Sequence, residues 1–346
     1  MALPKFVITH GRDSMRRIVC FVFIGLLLAS CGQKSVFTVF PQLHYQGHDL
    51  VTTIEEEDMH NIFFNLFVHN SCNTISYEGK LLFVNPFNRD GKHVATVYSL
   101  DENFSVREVF KIPSGKGPGE AIAIKFILFK DDYFYFWDPN LCRFLIYDKE
   151  FQFVETYNLE KNVSITVFYI YKGDIFALSG QENKYDLYKV ELLKNIKLSF
   201  IKSVELNTPA ENAKASTFRK YGSAFKETED TLILKDFNLA LFYDKETMEF
   251  TREGSMGFKG TERGVVVPNL IWINEQGDVL FSYRYTEGYL LRSGKNKAKR
   301  IDHKDIVKVL NACGYEFIIV KSDDDFKVFR SKSSIVEGSG PALNSK

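Results

Sequence analysis

The chain lacks a surplus of either charge, and that absence excludes a class of partner. Its 44 Lys+Arg balance 44 Asp+Glu to a formal charge of zero, so no basic excess stands ready to neutralise a nucleic-acid backbone. Cysteine is also scarce, with five in 346 residues. Cys72, Cys142 and Cys313 stand at wide, unrelated spacings that form neither a disulfide framework nor a zinc pattern, and read as small apolar fillers of strands. Tryptophan occurs twice, against 32 Phe and 17 Tyr. None of the seven histidines (His10, His44, His48, His60, His69, His93, His303) forms H-E-x-x-H or H-x-H, and no G-x-S-x-G elbow is present. Past Cys31 no run approaches the roughly 18 apolar residues of a membrane span.

What is present begins with an address. Met15-Arg16-Arg17 is cationic, Ile18 to Leu28 is apolar or small, and Leu28-Ala29-Ser30-Cys31-Gly32 follows. That order fits an export signal, and the small residues before Cys31 resemble a lipobox, whose cysteine thiol takes a diacylglycerol. The reading divides the chain into a signal over 1–30, a tether over 31–47, a folded body over 48–335 and a flexible tail over 336–346. Met15 rather than Met1 is the expected start. Two or more acyl chains anchor stably where one is marginal. Gly32-Gln33-Lys34 carries no acidic run, so the expected place is the outer membrane facing the periplasm, with cell-surface exposure left open.

The body reads as strands. Leu81–Val84, Tyr133–Trp137, Phe144–Tyr147, Thr231–Leu234, Leu241–Tyr243 and Phe317–Val320 are rich in the aromatic and branched residues that suit a pleated surface. Turn-forming residues separate them, among them Lys172-Gly173-Asp174 and Asp323-Asp324-Asp325. The best helical candidates are 211–215 and 302–310. Asp138-Pro139-Asn140-Leu141 with Asp148-Lys149-Glu150 recurs as Asp236-Phe237-Asn238-Leu239 with Asp244-Lys245-Glu246. Half of that separation is about 48 residues, a period matching one four-stranded antiparallel unit. Turns then fall near 101, 148, 195, 244 and 293, with a sixth expected near Ser331. One such sheet cannot hide both apolar faces alone. Six of them closing about an axis give an all-β, six-bladed β-propeller of four-stranded antiparallel blades, its ring latched by a strand from the segment 49–68. A β-sandwich or a pair of β domains is the competing architecture, although no Pro/Gly/Ser linker divides the chain.

Ser114-Gly115-Lys116-Gly117-Pro118-Gly119-Glu120 is the specific landmark. With the lipobox and the strands around it, this G-K-G-P-G-E stretch resembles the BF3164-like, TolB-like six-bladed propeller lipoproteins, in which a G-x-G-P-G-E-[FY] turn follows the first blade. Ala121 departs from the family's aromatic, and later blades lack comparable turns. The resemblance implies a fold and an address but no reaction. Gly115, Gly117 and Gly119 permit positive φ, and Pro118 fixes its own. Gly115, Lys116, Gly117, Pro118, Gly119 and Glu120 thus form a structural turn or a ligand-contacting loop, but not a P-loop, which needs G-x-x-x-x-G-K-[ST] before a helix. Glu120 is expected to form a salt bridge within the ring or to face the channel.

Chemistry is harder to place. Asp138, Asn140, Asp236 and Asn238 recur at matching blade positions, where they cap turns or converge to hold a divalent cation at the channel mouth, as in metal-dependent lactonases or sugar dehydrogenases on six-bladed propellers. Cys142 aligns with Ala240, pairing two small residues. Lys295, Lys297, Lys299 and Arg300 make a basic edge that could touch lipid headgroups. The expectation is a non-catalytic binding or scaffold module without cofactor, serving an envelope protein, a peptide or a glycan and no nucleic acid. The channel-mouth metal enzyme is the alternative.

Overall fold

The computed structural model describes residues 34–63, 74–86, 91–159, 163–180, 184–206, 223–236, 239–256, 259–261, 264–266, 269–274, 276–283, 287–295 and 298–332. The signal, Cys31, Cys72, the helical candidate at 211–215 and the tail at 336–346 lie outside them.

The chain is all-β, with six four-stranded antiparallel blades arranged in a ring as a β-propeller. The first strand, β1 (Asp49–Glu55), is held over to the end. Blade one is β2 (Thr74–Tyr77), β3 (Lys80–Asn85), β4 (His93–Leu100) and β5 (Val106–Pro113). Blade two is β6 (Phe126–Lys130), β7 (Tyr133–Asp138), β8 (Arg143–Tyr147) and β9 (Phe153–Asn158). Blade three is β10 (Val167–Tyr171), β11 (Asp174–Gly180), β12 (Lys184–Leu192) and β13 (Ile196–Glu205). Blade four is β14 (Ser223–Glu227), β15 (Thr231–Asp236), β16 (Leu239–Asp244) and β17 (Glu249–Ser255). A hairpin of β18 (Lys259–Thr261) and β19 (Gly264–Val266) leads to blade five: β20 (Asn269–Ile273), β21 (Val279–Tyr283), β22 (Glu287–Leu291) and β23 (Lys299–Ile301). Blade six takes β24 (Ile306–Ala312), β25 (Tyr315–Ser322) and β26 (Asp325–Lys332), and its outer strand is β1.

Each blade buries both faces against its neighbours, which is why its strands read as continuous apolar runs. Leu82, Val84 and Val97 of blade one pack with Phe134, Phe136 and Leu145 of blade two. Tyr135, Trp137 and Phe144 face Phe168 and Leu178 of blade three. Closure rests on the seam between blades six and one, where Phe317, Ile319 and Val328 meet Phe83, Leu100 and Phe104. Across the same seam Cys313 Sγ lies 3.3 Å from the Leu100 carbonyl, and Arg330 donates to the Glu102 carbonyl at 2.9 Å.

Local chemistry sets the hairpins. Glu78-Gly79, Asp131-Asp132, Lys172-Gly173 and Cys313-Gly314 all take positive φ at both residues, the twist that two-residue turns between antiparallel strands require. At the turn between third and fourth strands, Asp101 Oδ1 accepts from Asn103 and Ser105, Asp148 Oδ1 from Gln152, and Asp244 Oδ1 from Glu246 and Thr247. The repeat seen in the sequence is this turn. Its sixth occurrence fails because Ser331 pairs with Glu316 inside β26, and the strand that follows β26 in the sheet comes from the other end of the chain.

Three further expectations need correction. The candidate helix at 302–310 is a turn followed by β24. As the innermost strand of blade six it is covered by blades five and one, which hides the alternation that would have marked it. Cys142 and Cys313 form no disulfide among the described residues and sit in turns at φ 48° and 55°, so they are not strand fillers, whereas Ala240 is buried within β16. The described part of the expected tether includes residues packed against the ring. A short helix at Val36–Val39 is capped by Ser35, and Val36, Phe40 and Leu43 are buried against Trp272, Ile306 and Ile318 of blades five and six.

Candidate functional site

Strand alternation places the long connectors between blades at one end of the ring, with the hairpins joining second to third strands. The glycine turn, Asp138, Asn140, Asp236 and Asn238 all belong to that end. The connector from blade one to blade two folds back on itself: Gly115 N–H donates to Ala121 O and Ala121 N–H to Pro113 O, both at 2.9 Å. Glu120 accepts from Gly117 N–H at 2.7 Å, so its carboxylate serves its own loop. Arg143, 8% exposed, reaches up from β8 to three of the loop's carbonyls, those of Lys116, Gly117 and Glu120, at 3.2, 3.2 and 2.7 Å. The Tyr147 hydroxyl donates to Gly119 O at 2.7 Å, and burial pushes that phenol up to about 12.

The glycines are needed for different reasons. Gly119 takes φ +72° above the Phe153 ring. Gly117 does not adopt positive φ; a Cβ there would stand 2.9 Å from Glu120 Oε2. Gly117→Val should therefore displace Glu120 and lower the melting temperature by several degrees, on the order of 1–3 kcal/mol. Differential scanning calorimetry checks this, and an unchanged melt would refute it.

Asp138 is fully buried. Its Oδ1 accepts from Asn140 and Leu141 at 2.9 and 3.1 Å, and its Oδ2 from Ile122 at 2.8 Å. One carboxylate thus caps the β7–β8 hairpin and pins the connector beside it. Asn140 is exposed. Asp236 pairs through its backbone with Leu239; its side chain and Asn238 lie outside the described residues. Among the described residues no three His, Cys, Asp or Glu side chains gather as a metal would need.

The sequence reading missed a set of lysines on the inner rim. The first strands of neighbouring blades lie side by side around the axis. Lys125 directly precedes β6, Lys235 is the next-to-last residue of β15, and Lys308 is the third residue of β24. These positions share the connector end and belong to blades two, four and six. Lys125 and Lys235 are half-buried. Burial lowers both ammonium groups to about 8. Lys308 is 4% exposed, and burial holds it well below the ordinary lysine value, with the charge on Lys235 lowering it further. The available signal was a lysine inside an apolar run, Leu232-Ile233-Leu234-Lys235 and Ile306-Val307-Lys308-Val309.

A second regularity lies at the same level. The second-strand residue opposite the first residue of the inner strand is Trp137 in blade two, Lys235 in blade four and Ser282 in blade five. Trp137 Nε1 and Ser282 Oγ are buried without a hydrogen-bond partner among the described residues.

Comparison with protein-family models finds no match, and no curated protein matches. Solved structures resemble the chain at low identity. A Bacteroides fragilis protein described as exported is 11% identical, with a TM-score of 0.49 over 84% of this chain and 96% of that one. A streptogramin B lyase is 12% identical, with a TM-score of 0.42 over 84% and 89%. A member of the DUF4221 family from Bacteroides vulgatus is 10% identical, with a TM-score of 0.40 over 76% and 93%.

Proposed function

We propose that this chain is a lipid-anchored propeller of the cell envelope, a non-catalytic binding module whose ligand enters at the connector end of the channel. The observation carrying this reading is a connector rim whose backbone is fixed by buried side chains, with lysines at the same end of the ring. Arg143 and Asp138 spend their hydrogen bonds fixing the rim's backbone, while Lys125 and Lys308 stand at the connector end of inner strands and Lys235 at the connector end of a second strand. A rigid scaffold presenting polar groups at a concave mouth is the arrangement in which ligand sites occur.

The anchor is consistent with the docked segment. Val36 N–H donates to Asp302 O, and Asp302 N–H donates to Lys34 O, which fastens the chain to the ring beside blade five. Only two residues separate Cys31 from Lys34. A diacylglycerol on Cys31 would hold this edge within about 10 Å of the lipid surface, since an extended residue spans at most ~3.6 Å. Among the described residues no helix is long and apolar enough to cross a membrane. An outer-membrane location facing the periplasm is part of the proposal.

Cys31→Ala should move the protein from the membrane to the soluble fraction without altering its melt; retention in membranes would contradict the anchor. Metal analysis of the purified soluble domain tests the absence of metal-dependent catalysis. A stoichiometric divalent ion would overturn it. Affinity capture from native membranes tests whether the ring has a partner.

A further inference from the structure

The outer edge of blade five is basic in a chain whose charges otherwise cancel. From Arg292 to Ile301 the sequence holds five Lys or Arg and no Asp or Glu. Two cations of this region are already engaged. Arg292 pairs with Asp278 at 2.8 Å and lies over the Phe40 ring, 5.1 Å from its centre, and Lys304 pairs with Asp302 at 2.8 Å. Lys34, Lys295, Lys299 and Arg300 are exposed and form no ion pair among the described residues. Lys299 and Arg300 belong to β23, the last strand of its sheet, which pairs with β22 alone. Successive strand residues point to opposite faces, so these two cations flank the rim of the ring at this edge.

The N-terminal segment is fastened to the same edge. Ser35 bridges Asp302, the residue after β23, and Asp302 N–H donates to Lys34 O at 3.0 Å. Arg300 is two residues from that fastening, about 7 Å at the extended rise per residue. Cys31 is three residues from Lys34, so an acyl group there sets lipid within about 10 Å of the edge. Long Lys and Arg side chains cover much of that gap.

We propose that the outer edge of blade five, through Lys34, Lys295, Lys299 and Arg300, docks on anionic lipid headgroups. The ring then stands on this edge with its axis along the membrane plane and both channel mouths clear of the lipid. Charge selects the occupant, since these cations lack a protein carboxylate and their complement is negative. The short tether selects lipid, because it sets a membrane against this edge first. Each Lys or Arg near an anionic surface strengthens association about fivefold, an attraction confined to about a Debye length. The edge alone therefore binds weakly and reversibly; beside an acyl anchor it fixes orientation. This inference deepens the anchor reading and rests on it.

The experiment is co-sedimentation of the full chain carrying Cys31→Ala, which cannot be acylated, with two kinds of vesicle at low ionic strength. One is phosphatidylcholine alone, the other phosphatidylcholine mixed equally with phosphatidylglycerol. The protein should prefer the anionic vesicles, and high salt should abolish the preference. Adding Lys299→Gln and Arg300→Gln together should weaken that binding at least tenfold and leave the melt unchanged, because neither side chain holds another group. Adding Lys194→Gln and Lys197→Gln instead, at exposed positions of blade three, should leave binding as it was. In acylated wild type on anionic vesicles, an amine-reactive label should reach Lys299 slowly while Lys116, exposed at the connector end, reacts at its free rate. Equal binding to both vesicles, full binding by the Lys299/Arg300 variant, or protection of Lys116 along with Lys299 would overturn the docking edge. Wild type that then still resists a salt wash of native membranes would leave the anchor standing. Conversely, wild type stripped by salt alone, with vesicle preference intact, would refute the anchor and support the edge.

Discussion

A chain that begins at Glu56, lacking β1 and the segment docked behind it, should not fold to a cooperative monomer. β1 pairs with β26 from Asp49↔Arg330 to Glu55↔Asp325, so its loss exposes a row of unpaired backbone groups on β26, the template for edge-to-edge aggregation. Ile54 goes with it, and so do Val36, Phe40 and Leu43, all buried. Each such side chain contributes about 1.5–3 kcal/mol by burial, which together rivals the net stability of a domain, about 5–15 kcal/mol. The truncated chain should aggregate, or melt more than about 10 °C below the full chain over a broadened transition. Adding a synthetic peptide of residues 34–57 should restore part of the lost melt by adding a strand to that edge. A truncated chain that melts like the full one would show that the other strands close the ring unaided.

Arg143→Met should carry the next largest effect. The guanidinium satisfies three carbonyls of one connector from beneath, and methionine fills much of the same volume while donating nothing. Orphaned buried acceptors cost about 1–3 kcal/mol each, less where water reaches them, and the loop's outer face is exposed at Lys116 and Pro118. A loss on the order of 3 kcal/mol follows, or about 5 °C in a protein of this size. Arg143→Lys should recover little of it, because one ammonium cannot span three carbonyls held by a planar fork. Limited proteolysis should also cut the variant near Lys116 before the rest of the ring opens. A melt within about 1 °C of the wild type would mean the connector holds its shape through Glu120, Asp138 and Tyr147 alone.

The fold was legible where it follows from local chemistry repeated along the chain. Asp101, Asp148 and Asp244 cap the same turn in three blades, and an aspartate that must accept backbone N–H groups leaves a mark at each repeat. That an N-terminal strand closes the ring was legible as well, because an incomplete last blade needs one, but the strand is Asp49–Glu55 and the apolar Ile62-Phe63 lies in the helical turn after it. What stayed hidden depends on contacts between distant segments. Asp138 reads as a turn residue, and its second oxygen, bonded to Ile122, could not be inferred from the hairpin that contains it. Lys235 and Lys308 look like ordinary strand lysines until the fold buries them at the connector end of the ring. The strand at Ile306–Ala312 was mistaken for helix because an inner strand is apolar on both faces and loses its period of two.

Ring closure is the claim on which the channel, its rim and its lysines all depend. Amide hydrogen exchange in β26 tests it most directly, because in a closed ring β26 is an interior strand with β25 on one side and β1 on the other. The account predicts that the β26 amides facing β1 exchange as slowly as those of β25, opening only with the whole domain. Exchange of those amides at the rate of an open sheet edge, with β25 still protected, would contradict it.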